Sequence, residues 1–386
     1  MKLLFFFTQQ IAPNAGGVER VVTCMYNELN QRGYEITTLY LKPYVSVDAI
    51  PNQIQLPSEN GESKENKEFV KRIIDLNHFD VSFNFGAIFN KSSRAFVEAC
   101  YSRNLPTISV YHNTLDWILW INPHTHKLMT HKIARETLRK LYSIYQKFPF
   151  IKNARYISRK SAASVVLADC YKKEYIQLID SSPHHLTAIY NPRISPELRY
   201  DSKWDKKKNE ILFVGRLEEQ KNLEELIHIW SIARIDGWKL IIVGDGSQKT
   251  QLETLIAKLN LSDSVCLLGH QNNPQTYYKR AKIFVMTSKY EGFPMTLIEC
   301  QSFGCVPIIY DTYPAANEIV KEGENGILIP AMQKNIFIAK LKELMVNEDI
   351  TCRLSANCIN LMDRYSPNVI INEWINLIKL LSKTNS

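Results

Sequence analysis

Two kinds of segment alternate along nearly the whole chain. Short apolar runs rich in β-branched and aromatic residues recur at Lys2–Phe7, Glu35–Leu41, Asp80–Phe85, Pro106–Tyr111, Val165–Leu167 and Leu186–Tyr190. Each has the length of a buried strand and is too short for a helix. Between them apolar residues fall at helical spacing. Val18–Gln31 carries Val21, Val22, Met25 and Leu29 on one face, and Gly33 stands where a helix would end. Phe69–Leu76, Ser92–Arg103, His131–Lys147, Ile151–Ala162 and Tyr171–Ile179 read the same way, while Pro43–Asn66 reads as a polar surface excursion. Asn191-Pro192 and the polar stretch Asp201–Asn209 read as a linker.

A second series follows. Strands are predicted at Glu210–Val214, Trp238–Val243, Val265–Leu268, Ile283–Thr287, Val306–Ile309 and Gly326–Ile329. Helices are predicted at Leu223–Ile235, Gln248–Leu259, Pro274–Ala281 and Tyr313–Val320, with three more from Asn335, the last over Asn368–Leu381. Strands that alternate with helices form parallel sheets covered on both faces. The expectation is an α/β chain of two doubly wound, Rossmann-like domains, 1–191 and 192–366.

Ligands of open α/β sheets gather at the carboxyl ends of strands, and the notable residues lie there. After Ile283–Thr287 comes Tyr290-Glu291-Gly292-Phe293-Pro294-Met295-Thr296-Leu297-Ile298-Glu299, read as a tight loop entering a short helix that ends at Gly304. A glycine admits close approach of a ligand, and a helix start suits a phosphate. Flanking carboxylates accept hydrogen bonds from hydroxyls, so phosphate plus polyol points to a nucleotide sugar. A second reading of Glu299 stays open: Thr296-x-x-Glu299 is also a capping box, in which Glu299 serves only backbone. After Glu210–Val214, Arg216 and Lys221 stand five apart, a spacing that clamps a diphosphate. The alternative is surface charge paired with Glu218 and Glu219. Gly16-Gly17 opens the first long helix, and His112-Asn113 ends the strand Pro106–Tyr111. Trp117 and Trp120 either shape an acceptor pocket or belong to a packed loop. Gly244-Asp245-Gly246 is a turn of a kind found everywhere.

Glu291-Gly292-Phe293-Pro294 with Leu297 and Glu299, followed by Gly304-Cys305-Val306-Pro307, resembles the Glu-x7-Glu motif of retaining GT-B glycosyltransferases, in particular glycosyltransferase family 4. Cys300-Gln301 departs from the small-residue pair often found there. The resemblance is close from Glu210 to Pro330 and loose in the first half. It implies the GT-B fold, two domains facing across a cleft, with a terminal helix (367–386) returning to the first domain. It implies that the Gly16 and Gly17 backbone lies against donor phosphates and that Arg216 and Lys221 hold the pyrophosphate. It also implies that His270 neighbours the nucleobase and that His112 lies near the donor sugar and acceptor. Glu291 would hold sugar hydroxyls and Glu299 the ribose, with Gly292, Phe293, Pro294, Met295 and Thr296 completing the donor site. The implied reaction is front-face transfer from a UDP- or GDP-sugar to a saccharide or lipid-linked acceptor in bacterial surface polysaccharide assembly. A GT-B epimerase or hydrolase, or a non-catalytic nucleotide-sugar-binding protein, remains as an alternative.

Composition narrows this picture. With 386 residues, 45% hydrophobic and 22% charged, the chain has the make-up of two soluble domains. No apolar run is long enough to span a bilayer. The apolar start reads as a first strand rather than a signal peptide. Eight cysteines without a Cys-x-x-Cys suggest reduced thiols and a cytoplasmic place. No Asp-x-Asp occurs, His124-x-His126 lacks nearby partners, and neither metal nor cofactor is expected. Gly-x-Gly-x-x-Gly is missing after the first strand, which disfavours a dinucleotide oxidoreductase. The net charge of +8 is uneven. From Lys127 to Lys173 twelve cations face two carboxylates, Glu136 and Asp169. Such a block serves either an anionic membrane surface on amphipathic helices or a plainly solvated face. Nucleic acid is not expected as a partner.

Overall fold

The computed structural model describes residues 1–12, 16–44, 50–86, 90–112, 149–181, 183–194 and 204–383. Asn113, Trp117, Trp120, His124, His126, the predicted helix His131–Lys147 and the basic block before Lys152 lie outside them. Contacts divide the chain into two units, Met1–Pro192 with Pro367–Ser386, and Arg193–Ser366.

In the first unit, β1 (Lys2–Gln9), β2 (Glu35–Lys42), β3 (Gln53–Gln55), β4 (Val81–Asn84), β5 (Thr107–Tyr111), β6 (Ala163–Val166) and β7 (Leu186–Ala188) form one sheet in the order β3-β2-β1-β4-β5-β6-β7. Every pairing is parallel. The helices are α1 (Gly17–Gln31), α2 (Lys64–Asn77), α3 (Lys91–Tyr101), α4 (149–160) and α5 (Cys170–Leu178). Aromatic packing fills the centre: Phe5 meets Phe83 edge-on with centroids 4.9 Å apart, and Phe6 stacks on Phe96 at 4.8 Å.

Pro43–Asn66 departs from the expected irregular excursion. Gln53–Gln55 adds an edge strand paired to β2, too short at three residues for a hydrophobic period to show. The helix α2 begins at Lys64 rather than at Phe69, because Ser63 accepts from the Asn66 amide at 3.1 Å and starts it through a wholly polar turn.

The second unit holds β8 (Lys208–Val214), α6 (Leu223–Ala233), β9 (Lys239–Val243), α7 (Lys249–Lys258), β10 (Val265–Leu267), α8 (Gln275–Arg280), β11 (Ala281–Met286), α9 (Met295–Ser302), β12 (Val306–Asp311), α10 (Ala316–Ile319), β13 (Ile327–Pro330), α11 (Lys334–Val346) and α12 (Glu348–Leu361). Its parallel sheet runs β10-β9-β8-β11-β12-β13. Ile211, Phe213, Ile227, Trp230, Leu240 and Ile242 are among its core residues. Gly304, at φ +66, closes α9 in the left-handed conformation expected of it. The final helix, α13 (Pro367–Lys383), belongs to the first unit, where Trp374 lies 5.8 Å from Phe83.

Both sheets are doubly wound. The chain builds outward from the middle strand, β1 or β8, and then returns to start again on its other side with β4 or β11. The loops that follow β8 and β11 therefore meet at a topological switch point, the place where such sheets bind ligands. Among the described residues no helix is long and apolar enough to cross a membrane, and no group of three or more His, Cys, Asp or Glu is placed to hold a metal ion. All eight cysteines are free thiols.

Candidate active site

The loop after β8 is locked by its neighbours. Gly244 has φ +146, and a Cβ there would stand 1.8 Å from the Gly215 carbonyl oxygen. Its amide donates to Gly269 O at 2.9 Å. The Gly244-Asp245-Gly246 turn is thus a packing device that lets the ends of β8, β9 and β10 touch. Asn222, left-handed at φ +53, closes a turn of 3-10 helix and starts α6.

The loop after β11 is zipped onto this one. Thr287 Oγ1 donates toward Lys221 O and Asn222 O, at 3.2 and 3.1 Å. The Lys289 amide donates to Gln220 O at 2.8 Å, and Gln220 Nε2 donates to Tyr290 O at 2.8 Å. Lys221 Nζ then meets Glu291 Oε1 at 2.5 Å, with side chains 14% and 8% exposed. Gln220 Nε2 stands 3.5 Å from the other Glu291 oxygen. The cation expected on a diphosphate and the carboxylate expected on a sugar are therefore joined to each other.

Arg216 is exposed, and its guanidinium makes no ion pair or hydrogen bond with any described residue. The alternative pairing with Glu218 and Glu219 is not what forms. Glu218 accepts from Ser247 Oγ at 2.6 Å and from the Ser247 amide, which together with the nearby Arg216 charge hold its carboxyl below the usual range. Glu219 pairs with Lys289 at 2.9 Å.

The capping box is overturned. Pro294 occupies the N-cap of α9, no side chain caps that helix, and Thr296 is its second residue. A capping residue must precede the helix, and Thr296 lies inside it. Glu299, 5% exposed, is the fifth residue of α9, beyond its first turn, and accepts from Tyr278 Oη at 3.2 Å. Phe293 and Met295 are buried, Phe293 lying edge-on to Tyr365 at 5.9 Å, and Pro294 is buried beside them. Gly292 and Thr296 keep partial exposure. His270 is exposed on the loop after β10.

The remaining candidates lie in the first unit. Gly16 is the N-cap of α1 in extended backbone, and that helix has no side-chain cap. A Cβ on Gly16 would strike Glu19 Oε2 at 2.6 Å, whereas one on Gly17 would meet nothing within 4 Å. His112 follows β5 with its ring 5.9 Å from Phe85. Its Nε2 is buried without a hydrogen-bond partner among the described residues. Burial pushes its pKa down to about 4, so the imidazole is neutral at neutral pH. A recess of about 820 Å³ in this unit is lined in part by Thr8, Lys42, Lys91, Arg94, Phe150 and Lys152. In the described part of the basic block, Arg155 bonds the carbonyls of Ile179 and Leu178, Lys160 lies 3.7 Å over the Tyr101 ring, and Lys172 pairs with Asp169.

Gln220 and Tyr278 escaped the sequence reading. Neither sits in a motif, and each acts on a residue far along the chain, 71 and 21 positions away.

Comparison with known proteins bears on this arrangement. Residues 195–360 match the family of glycosyl transferases group 1. The amylovoran biosynthesis glycosyltransferase of Erwinia amylovora is 32% identical over 180 residues, which cover 47% of this chain and 51% of that protein. The match thus spans about half the length of that relative. Sucrose-phosphate synthase from Thermosynechococcus elongatus superposes with a TM-score of 0.74 at 16% identity, covering 100% of both chains. An Anabaena protein, HepE, solved with UDP, gives 0.74 at 15% identity over 98% of this chain and 100% of its own. Likeness at such identities is one of fold, and the fold is GT-B.

Proposed function

We propose, from the match of residues 195–360 to the family of glycosyl transferases group 1, that the protein transfers a sugar from a nucleotide-diphosphate sugar to an acceptor hydroxyl, with retention at the anomeric carbon. The observation that carries this reading is the Lys221–Glu291 pair at the switch point of the second sheet, with the exposed Arg216 on the same loop. Departure of a nucleoside diphosphate builds negative charge on its oxygens, and fixed cations lower the cost of that charge. Arg216 takes a phosphate bidentately. Lys221 adds a second charge and, through its bond to Glu291, holds that carboxylate ready for sugar hydroxyls. Glu299 accepts from the ribose. In the first unit, taken by itself, the start of α1 at Gly16-Gly17 has no side-chain cap and offers backbone donors to an anion. In the same unit His112, neutral at pH 7, has a buried Nε2 without a hydrogen-bond partner among the described residues that can accept from a hydroxyl. With these cations in place and no Asp-x-Asp in the sequence, the transfer is expected to run without a metal.

The nucleotide bound by the Anabaena neighbour makes UDP the first donor nucleotide to test, with GDP beside it. The Erwinia relative is named as a biosynthesis glycosyltransferase, which fits the expected place in bacterial surface polysaccharide assembly; the saccharide or lipid-linked acceptor follows from the family resemblance. The test is nucleotide release from UDP- and GDP-sugars, with and without polyprenyl-linked and free saccharide acceptors. Release that requires an acceptor, and survives excess chelator, supports the reading. Donor turnover without any acceptor points to an epimerase or hydrolase. Binding without release points to a non-catalytic binding protein.

A further inference from the structure

Glu299 is nearly withdrawn from water, and a carboxylate in that position needs fixed donors to hold one orientation. Tyr278 supplies one. It stands on α8 with no accessible surface, and its hydroxyl donates to Glu299 Oε2 at 3.2 Å. The ring is clamped in turn: it lies parallel to Phe303, centroids 6.1 Å apart and planes 7° from parallel, and tilted on Phe284 at 6.2 Å. Its backbone is held as well. The buried Lys207 ammonium donates to Ala281 O at 2.8 Å and reaches Tyr278 O at 3.4 Å, so a cation sits on carbonyls at the C-terminal end of α8.

We propose that Tyr278 is a positioning residue for donor binding, whose hydroxyl fixes the Glu299 carboxylate in the orientation that receives the ribose hydroxyls of a nucleoside diphosphate. The inference rests on the reading of Glu299 as the ribose ligand. The torsion that turns a carboxylate is broad and soft. Anchored through one oxygen to a ring that cannot move, the group gives up that freedom before the ligand arrives, and pre-organisation of this kind raises affinity. Tyr278 acts through Glu299 and touches no substrate.

The test uses the full chain and calorimetry with UDP and GDP, each beside its 2′,3′-dideoxy counterpart. Tyr278→Phe keeps the stacked ring and removes the hydroxyl. The variant should melt within about 5 °C of the parent and bind the ribose nucleotide about tenfold more weakly. It should bind the dideoxy nucleotide as the parent does. With a donor sugar, KM should rise while kcat at saturation holds. Unchanged affinity for the ribose nucleotide would overturn the inference, and so would an equal loss for the dideoxy form, which marks a merely structural role. Glu299→Gln separates the two levels. Weaker ribose binding in Glu299→Gln but not in Tyr278→Phe defeats the inference alone. No loss in either variant defeats the ribose reading of Glu299 as well. A parent that binds neither nucleotide defeats both.

Discussion

Removing one partner of the Lys221–Glu291 pair should cost stability that removing both restores. Lys221→Met leaves a carboxylate 8% exposed beside an apolar side chain, and Glu291→Gln leaves an ammonium 14% exposed without its counter-charge. At 2.5 Å the gross attraction is about 7 kcal/mol with an effective dielectric constant near 20, most of it offset by desolvation. Breaking one half of a buried pair costs about 3–5 kcal/mol. Gln220 Nε2 stays near the second Glu291 oxygen, so the lower end, about 3 kcal/mol, is expected for each single variant. The double variant Lys221→Met with Glu291→Gln should return to within about 1 kcal/mol of the parent. A chain of two units need not unfold in one step, so the second unit is best followed directly, by amide exchange of β8 and β11 at pH 7. The energies of parent, singles and double then close a cycle. Single variants within about 0.5 kcal/mol of the parent, or energies that simply add, would refute the view that this pair ties the two loops together.

Arg216→Ala removes an exposed guanidinium with no partner among the described residues, so stability should change by less than about 0.5 kcal/mol. Nucleoside diphosphate affinity should fall tenfold or more, as loss of a charge-assisted hydrogen bond would give; unchanged affinity by calorimetry removes the clamp. His112 has a folded pKa of about 4, depressed by burial, against about 6.5 unfolded. The unfolded chain therefore binds the extra proton between those values, and stability from this group falls as pH drops from about 6.5 toward 4, by roughly 3 kcal/mol. Urea titrations across that range should show a shallower acid loss for His112→Asn than for the parent; parallel profiles would contradict the buried neutral imidazole. The cations from Lys127 to Lys173 are expected to hold the protein on anionic vesicles at low salt and release it at high salt. Equal co-sedimentation with neutral vesicles would mean a plainly solvated surface and would favour a soluble acceptor.

The alternation of strands and helices was legible because strands buried on both faces write themselves as continuous apolar runs. Every predicted strand from Glu210 onward appears in the second sheet within a few residues. What failed was polar and short. Gln53–Gln55 joins the first sheet through backbone pairing to β2, which leaves no mark on residue type. The start of α2 rests on Ser63, and its first turn carries no apolar residue. The turn Gly244-Asp245-Gly246 looked interchangeable with any other until Gly215 O was found against Gly244, a contact between the ends of two strands. Strand order, which decides such contacts, is not written locally.

The same reasoning separates the two carboxylates. In sequence Glu291 and Glu299 form one motif of even spacing, and the local alternative for Glu299 was a helix cap. The fold gives them different surroundings. Glu291 leaves β11 on a loop that the switch point lays against the loop after β8, so its partner is a cation 70 positions earlier. Glu299 rides on α9 against the preceding helix α8, so one of its partners is a neutral hydroxyl held by stacked rings. A carboxylate fixed by a cation keeps its charge partly neutralised, which suits sugar hydroxyls next to a departing diphosphate. A carboxylate oriented through one oxygen by a hydroxyl keeps further lone pairs to accept from the two hydroxyls of a ribose. Substituting Gln should accordingly act on different steps: Glu291→Gln on turnover of the whole donor, Glu299→Gln on binding of the nucleoside diphosphate alone. Equal loss of diphosphate affinity in both variants would mean that the two carboxylates serve one ligand group and that the division drawn from their partners is wrong.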